Sequence, residues 1–128
     1  MLPLRLKPLW LGIGAVGVVL AFVLSLWPHG APLPVVVWDK VQHFVGYFLV
    51  VGWFTGLVPR RRYFAVVLFA AALGGLIEIL QSFTATRECD WHDELANCVG
   101  ACGGWLFASL GGGGWAVGIE RLLGLEPR

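Results

Sequence analysis

Four long apolar runs dominate this chain and leave it few ways to fold. A helix rises about 1.5 Å per residue, so roughly 20 apolar residues cross the hydrocarbon core of a bilayer. Four stretches reach that length: about 9–27, ended by Pro28; about 40–58, ended by Pro59; about 63–83; and about 92–116. Only 13% of the 128 residues are charged, whereas 58% are hydrophobic. A soluble domain carries about a quarter charged residues, so these charges are too few to cover a soluble surface. The expected fold is all-α, an integral membrane bundle of four transmembrane helices forming a single domain over residues 1–128, with the lipid bilayer as its main partner.

Two of these runs need a decision. The first follows Arg5 and Lys7 as a signal peptide would. At about 19 residues it exceeds the usual signal core of about 7–15, and no small-residue cleavage site follows, so an uncleaved span is expected. The fourth contains Gly111 to Gly114. Glycine costs about 1 kcal/mol relative to alanine in a water-exposed helix. It is better tolerated in membranes, where it allows close packing, so the helix is expected to continue. The alternative is a stop near Leu110 with a short interfacial helix from Trp115 to Leu125.

The basic residues orient the bundle. Arg5, Lys7, Arg60, Arg61, Arg62, Arg121 and Arg128 all fall on one side if the span count is even. By the positive-inside rule that side is cytoplasmic, which gives an N-in/C-in topology. Lys40 and Arg87 fall on the other side with six of the eight acidic residues. A net charge of +1 and the lack of a basic stripe with interleaved aromatics exclude nucleic acid as a partner. The three cysteines, Cys89, Cys98 and Cys102, match no metal or redox spacing. Packing residues and a free thiol account for them.

Three polar clusters lie at the outer helix ends. Ionisable residues in or beside a span are costly and usually have a reason to be there. Asp39-Lys40-Val41-Gln42-His43 opens the second span. Asp39 and Gln42 read as a helix cap and its reciprocal partner. His43 lies one turn inside, about 40° around the helix from Asp39, and needs a hydrogen-bonding partner. Glu78 and Gln81 share a face near the end of the third span. Glu78 is the most deeply placed acid, about 7–8 Å below the helix end. An interhelical hydrogen bond is the structural reading of this pair. In the third cluster, Asp90 reads as an N-cap and Glu88 and Glu94 as solvated. Asp90, Asp93 and Asn97 fall within about 60° of one another and form a stripe descending into the bilayer. Below it, Gly100 and Gly104 have the spacing that admits a close neighbouring helix, as do Gly52 and Gly56, and Ala71 and Gly75.

Taken in order, Asp39-Lys40-x-x-His43-Phe44-x-Gly46-Tyr47-Phe48, Glu78-x-x-Gln81-x-Phe83 and Arg87-x-x-Asp90-x-x-Asp93-x-x-x-Asn97-x-x-Gly100 resemble the VanZ-like family over about residues 38–104. The resemblance implies a small four-span protein of the bacterial cytoplasmic (inner) membrane. It also implies a link to glycopeptide resistance, since the founding member is associated with low-level teicoplanin resistance. It supplies a site and no reaction.

Two classes of function fit. In the first, an outward-facing site binds or processes an envelope or lipid-linked substrate. Lys40, Arg87, Gln81 and Asn97 would then bind it, the two cations holding an anionic group, while His43, Glu78 and Asp93 would do proton transfer. No compact metal-ligand motif is present, so no metal or other cofactor is assigned; an ion held by His43, Asp90 and Asp93 is a variant without motif support. In the second, the polar residues lock helix ends or bind a partner or lipid headgroup without catalysis. The sequence does not fix the oligomeric state.

Overall fold

The structure is a computed structural model that describes residues 1–26, 39–83 and 91–125, with only the backbone of Asp39. The described residues are all-α. They form α1 (Lys7–Ser25), α2 (Asp39–Thr55), a short 3-10 turn (Arg60–Arg62), α3 (Tyr63–Gln81), α4 (Trp91–Phe107) and α5 (Trp115–Leu122). Three stretches are long and apolar enough to cross a membrane: Lys7–Ser25, Arg60–Gln81 and Trp91–Gly112. α2, with 17 residues, is shorter. Large apolar side chains face outward, among them Val16 at 59%, Leu24 and Leu49 at 61% and Phe64 at 67% exposure. Continuous apolar surface on that scale needs a lipid or protein cover, and together with the apolar helices it marks a membrane protein.

α2 and α4 make the most extensive contact, with α3 packed on both and α1 on α2. Glycine sets the α2–α4 distance. A Cβ on Gly100 would overlap the Phe44 carbonyl, and one on Gly104 would lie 2.8 Å from the Phe48 carbonyl oxygen and 2.9 Å from Val51 Cβ. The two backbones therefore nearly touch, the geometry small residues permit in membranes. The Ala71/Gly75 pair is not used this way, because Gly75 faces open space. The buried face of α3 is instead Tyr63, Ala70, Gly74, Ile77, Glu78 and Gln81.

The fourth apolar run does not continue as one helix. It widens over residues 108–112, where the Gly113 N–H donates to the Ala108 carbonyl at 3.1 Å. It then breaks, with φ of 120° at Gly111 and 70° at Gly114. Those left-handed values suit glycine and would strain other residues. The chain resumes as α5, which folds back on the basic end.

A tryptophan cluster closes that end. Trp10, Trp53 and Trp115 contact one another, with ring centroids 4.8–6.1 Å apart. Each indole N–H finds an acceptor: Trp53 donates to the Trp10 carbonyl, Trp115 to the Gly52 carbonyl and Trp10 to Glu120. α1 has no side-chain cap of its own. Just ahead of it, Glu120 of α5 accepts from the N–H groups of Arg5 and of the N-cap Leu6, both at 2.8 Å. A carboxylate there also complements the positive end of the helix dipole. Burial raises the Glu120 carboxyl, but the Arg5, Leu6 and Trp10 donors and the Arg5 charge outweigh it and hold the group below the ordinary carboxylate range.

Candidate functional site

At the opposite end, the start of α2, the end of α3 and the start of α4 converge. His43, Glu78 and Asp93 each contribute one atom to a set within 4.8 Å of one another, and all three residues are buried. Three helices of the bundle thus deliver one titratable group each to a single point. Their burial follows from register: Asp93, Asn97 and Gly100 recur at helical spacing on α4, and Gly74, Glu78 and Gln81 do so on α3.

Hydrogen bonds fix the orientation of the imidazole. Asn97 is 1% exposed. Its amide Nδ2 donates to Glu94 Oε2 at 3.1 Å. With Nδ2 turned to that carboxylate, the amide oxygen is the atom that faces His43, whose Nδ1 lies 2.9 Å from it. His43 Nδ1–H is therefore the donor, and Nε2 is left to face Asp93 Oδ2 at 3.7 Å. In the neutral ring, Nε2 carries the lone pair. The other Asp93 oxygen, Oδ1, is held by Lys40 Nζ at 2.7 Å. The Lys40 side chain is 52% exposed, against 10% for Asp93, so this pair lies where the cluster opens to the surroundings.

A second polar layer lies below the first. The Glu94 carboxylate, the Asn97 amide and the Tyr47 hydroxyl crowd the bare Cα of Gly74, at 2.5, 3.0 and 3.3 Å from where a Cβ would sit. The Tyr47 hydroxyl is buried and makes no hydrogen bond among the described residues. Glu94 also accepts from the Cys98 thiol at 3.6 Å. Sequence reasoning assigned Glu94 to solvent; the structure turns it into the bundle, as the residue that orients Asn97. Its position three before Asn97 and four before Cys98 was the signal available.

Gln81 is buried but points elsewhere, donating to the Ser25 carbonyl at 2.6 Å and tying α3 to the end of α1. That hydrogen bond is structural. Gln42 is on an exposed face of α2, and the helix starts at Asp39. Arg87 and Asp90, with Glu88, Cys89 and the loop 28–38, lie outside the described residues, as does the Asp39 side chain. Cys98 and Cys102 are free thiols, Cys102 exposed. Glu120 drew no attention in the sequence; the absence of a capping side chain before Lys7 was the hint that a remote acceptor would be needed.

The fold and site define a small helical membrane protein with a polar cluster shared by three helix ends. The profile of the VanZ/LLP1 family matches residues 18–112, and the chain belongs to that family. It is also similar to an uncharacterised protein of Schizosaccharomyces pombe, with 36% identity over 90 residues, covering 67% of this chain and 56% of the relative. The chain therefore spans little more than half the length of that relative. No solved structure matches it significantly.

Proposed function

We propose that this protein binds, and acts on, an envelope or lipid-linked substrate with an anionic headgroup, at the outer leaflet of a bacterial cytoplasmic membrane. The observation that carries the reading is the meeting of His43, Glu78 and Asp93 within 4.8 Å, beside a half-exposed Lys40. Lys40 holds the anionic group as the headgroup approaches. His43, with its ring fixed through Asn97, moves a proton at Nε2, with Asp93 or Glu78 as its partner. Arg87 serves as a second cation. α2 completes a four-span, N-in/C-in bundle that keeps the site outside. The fungal relative favours chemistry shared by many membranes, an anionic lipid-linked group, over a component peculiar to one type of wall. Teicoplanin sensitivity is then a downstream phenotype of altered envelope material.

Non-catalytic locking of helix ends is favoured by one contact, the Gln81 bond to Ser25. One experiment separates the two readings. Envelope lipids and cell-wall precursors are compared with and without the protein, and with His43→Ala, Glu78→Ala and Asp93→Ala, while membrane abundance is measured. Loss of the chemical change at normal abundance supports the site; loss of abundance alone supports the structural reading. Topology is tested by reporters: one after Arg62 should read cytoplasmic, and one near Glu88 external. The reverse would overturn the outward-facing site.

A further inference from the structure

We infer that His43 of α2, Glu78 of α3 and Asp93 of α4 form a binding site for one divalent first-row transition-metal ion, Zn2+ or Mn2+. The inference stands on the geometry of these three side chains and does not need the headgroup reading.

Ligand bonds of about 2.0–2.2 Å place donor atoms roughly 3–4 Å apart around one ion. His43 Nε2 and Asp93 Oδ2 are 3.7 Å apart, and the whole set lies within 4.8 Å. That spread is only slightly wider than a bound set, so the three side chains would draw together onto an ion.

Metal-binding histidines almost always donate their other ring N–H to an acceptor that fixes tautomer and orientation. His43 Nδ1 does so toward the Asn97 amide oxygen at 2.9 Å, and Asn97 is itself oriented by Glu94 at 3.1 Å. That arrangement leaves Nε2 directed at the Asp93 carboxylate, 3.7 Å away. Asp93 is likewise divided: Lys40 takes Oδ1 at 2.7 Å, and Oδ2 faces the centre.

One imidazole with two carboxylates favours a transition ion over Mg2+ or Ca2+, which prefer oxygen alone. Three protein ligands leave at least one position open, the mark of a reactive rather than a purely structural site. Lys40, half exposed on the long arm of its side chain, lines the side from which an ion or an anionic ligand would enter. The chain order conceals the set, because each ligand sits on a different helix and no short motif is formed.

The test uses the purified full chain in mild detergent, stripped with chelator and titrated with Zn2+, Mn2+ and Mg2+ by calorimetry, with bound ion counted by elemental analysis. One Zn2+ or Mn2+ per chain is expected, with Mg2+ at least about tenfold weaker. His43→Ala, Glu78→Gln and Asp93→Asn should abolish stoichiometric binding, and Asn97→Ala should weaken it about 10–100-fold, as loss of a supporting hydrogen bond does. His92→Ala, on an exposed residue beside Trp91, should change nothing. If a ligand variant does not fold, electron paramagnetic resonance of the wild-type Mn2+ complex replaces it: nitrogen coupling from one imidazole, retained in His92→Ala, supports the site. Absence of stoichiometric Zn2+ or Mn2+, or binding that follows His92 rather than His43, overturns it. A protein that holds the ion but leaves envelope lipids unaltered refutes the headgroup reading alone. One that alters lipids without stoichiometric ion refutes the metal site alone.

Discussion

Asn97→Ala tests the hydrogen-bonded core of the polar cluster. The asparagine is 1% exposed and bridges His43 at 2.9 Å and Glu94 at 3.1 Å. Truncation leaves two polar atoms without these partners. An unsatisfied buried group costs about 1–3 kcal/mol. Glu94 is only partly buried and keeps the Cys98 thiol, so it belongs at the low end. The sum is about 2–4 kcal/mol, a large part of a typical total of about 5–15 kcal/mol. Unfolding in mixed micelles, followed by tryptophan fluorescence, measures it. Leu95→Ala, on the outward face at 52% exposure, is the control and should stay within about 0.5 kcal/mol. The sharper readout is a double-mutant cycle with His43→Ala, in which a coupling of about 1–2 kcal/mol is expected. If the two changes add within about 0.5 kcal/mol, the bond does not orient the histidine and the argument built on it fails.

Three other predictions follow from the packing and the ends of the bundle. Gly100→Ala should destabilise by about 1–3 kcal/mol because its Cβ meets the Phe44 carbonyl, whereas Gly75→Ala, facing open space, should be neutral or stabilising by up to about 1 kcal/mol in the same unfolding assay. Glu120 is held below the ordinary carboxylate range in the folded protein, so its contribution is complete above that range and is lost as pH falls through the depressed folded value. Thermal midpoints taken from neutral pH downward should therefore fall more steeply for wild type than for Glu120→Gln, which should already be less stable at neutral pH. Lys40→Ala should cost about 1–3 kcal/mol in the same unfolding assay, since it strips the 2.7 Å partner from a largely buried Asp93 oxygen.

The helices were legible because apolar run length translates almost directly into helix length in lipid. α1, α3 and the start of α4 lie within about two residues of the stretches read from hydropathy. The second helix stops earlier, at Thr55 rather than near residue 58. The Thr55 hydroxyl turns back onto the Val51 and Gly52 carbonyls, and at Gly56 a Cβ would collide with the Trp115 ring. Gly56 just past the end and Pro59 beyond it are the local signals for a stop at that point, and the ring that fills the space at Gly56 arrives from α5. The glycine run was ambiguous: composition allows a packed span or a break, and the contacts of α5 with the basic end decide between them. In the polar cluster, His43, Glu78 and Asp93 were visible because charge in an apolar run stands out. Glu94 and Glu120 were not, because each is defined by its partner: one by an amide a turn away, the other by N–H groups at the far end of the chain.

The Glu120 contact with Arg5 and Leu6 joins residues separated by almost the whole chain. Synthesis runs from the N-terminus, so while α1 enters the membrane the Arg5 and Leu6 N–H groups ahead of it meet only water or headgroups. They receive their carboxylate after α5 has been made. A segment made after all the apolar runs thus fixes the entry to the first helix, and a chain cut short before residue 120 would keep those runs and lose that latch. Such a product would insert and yet remain open at its basic end, exposed to membrane quality control.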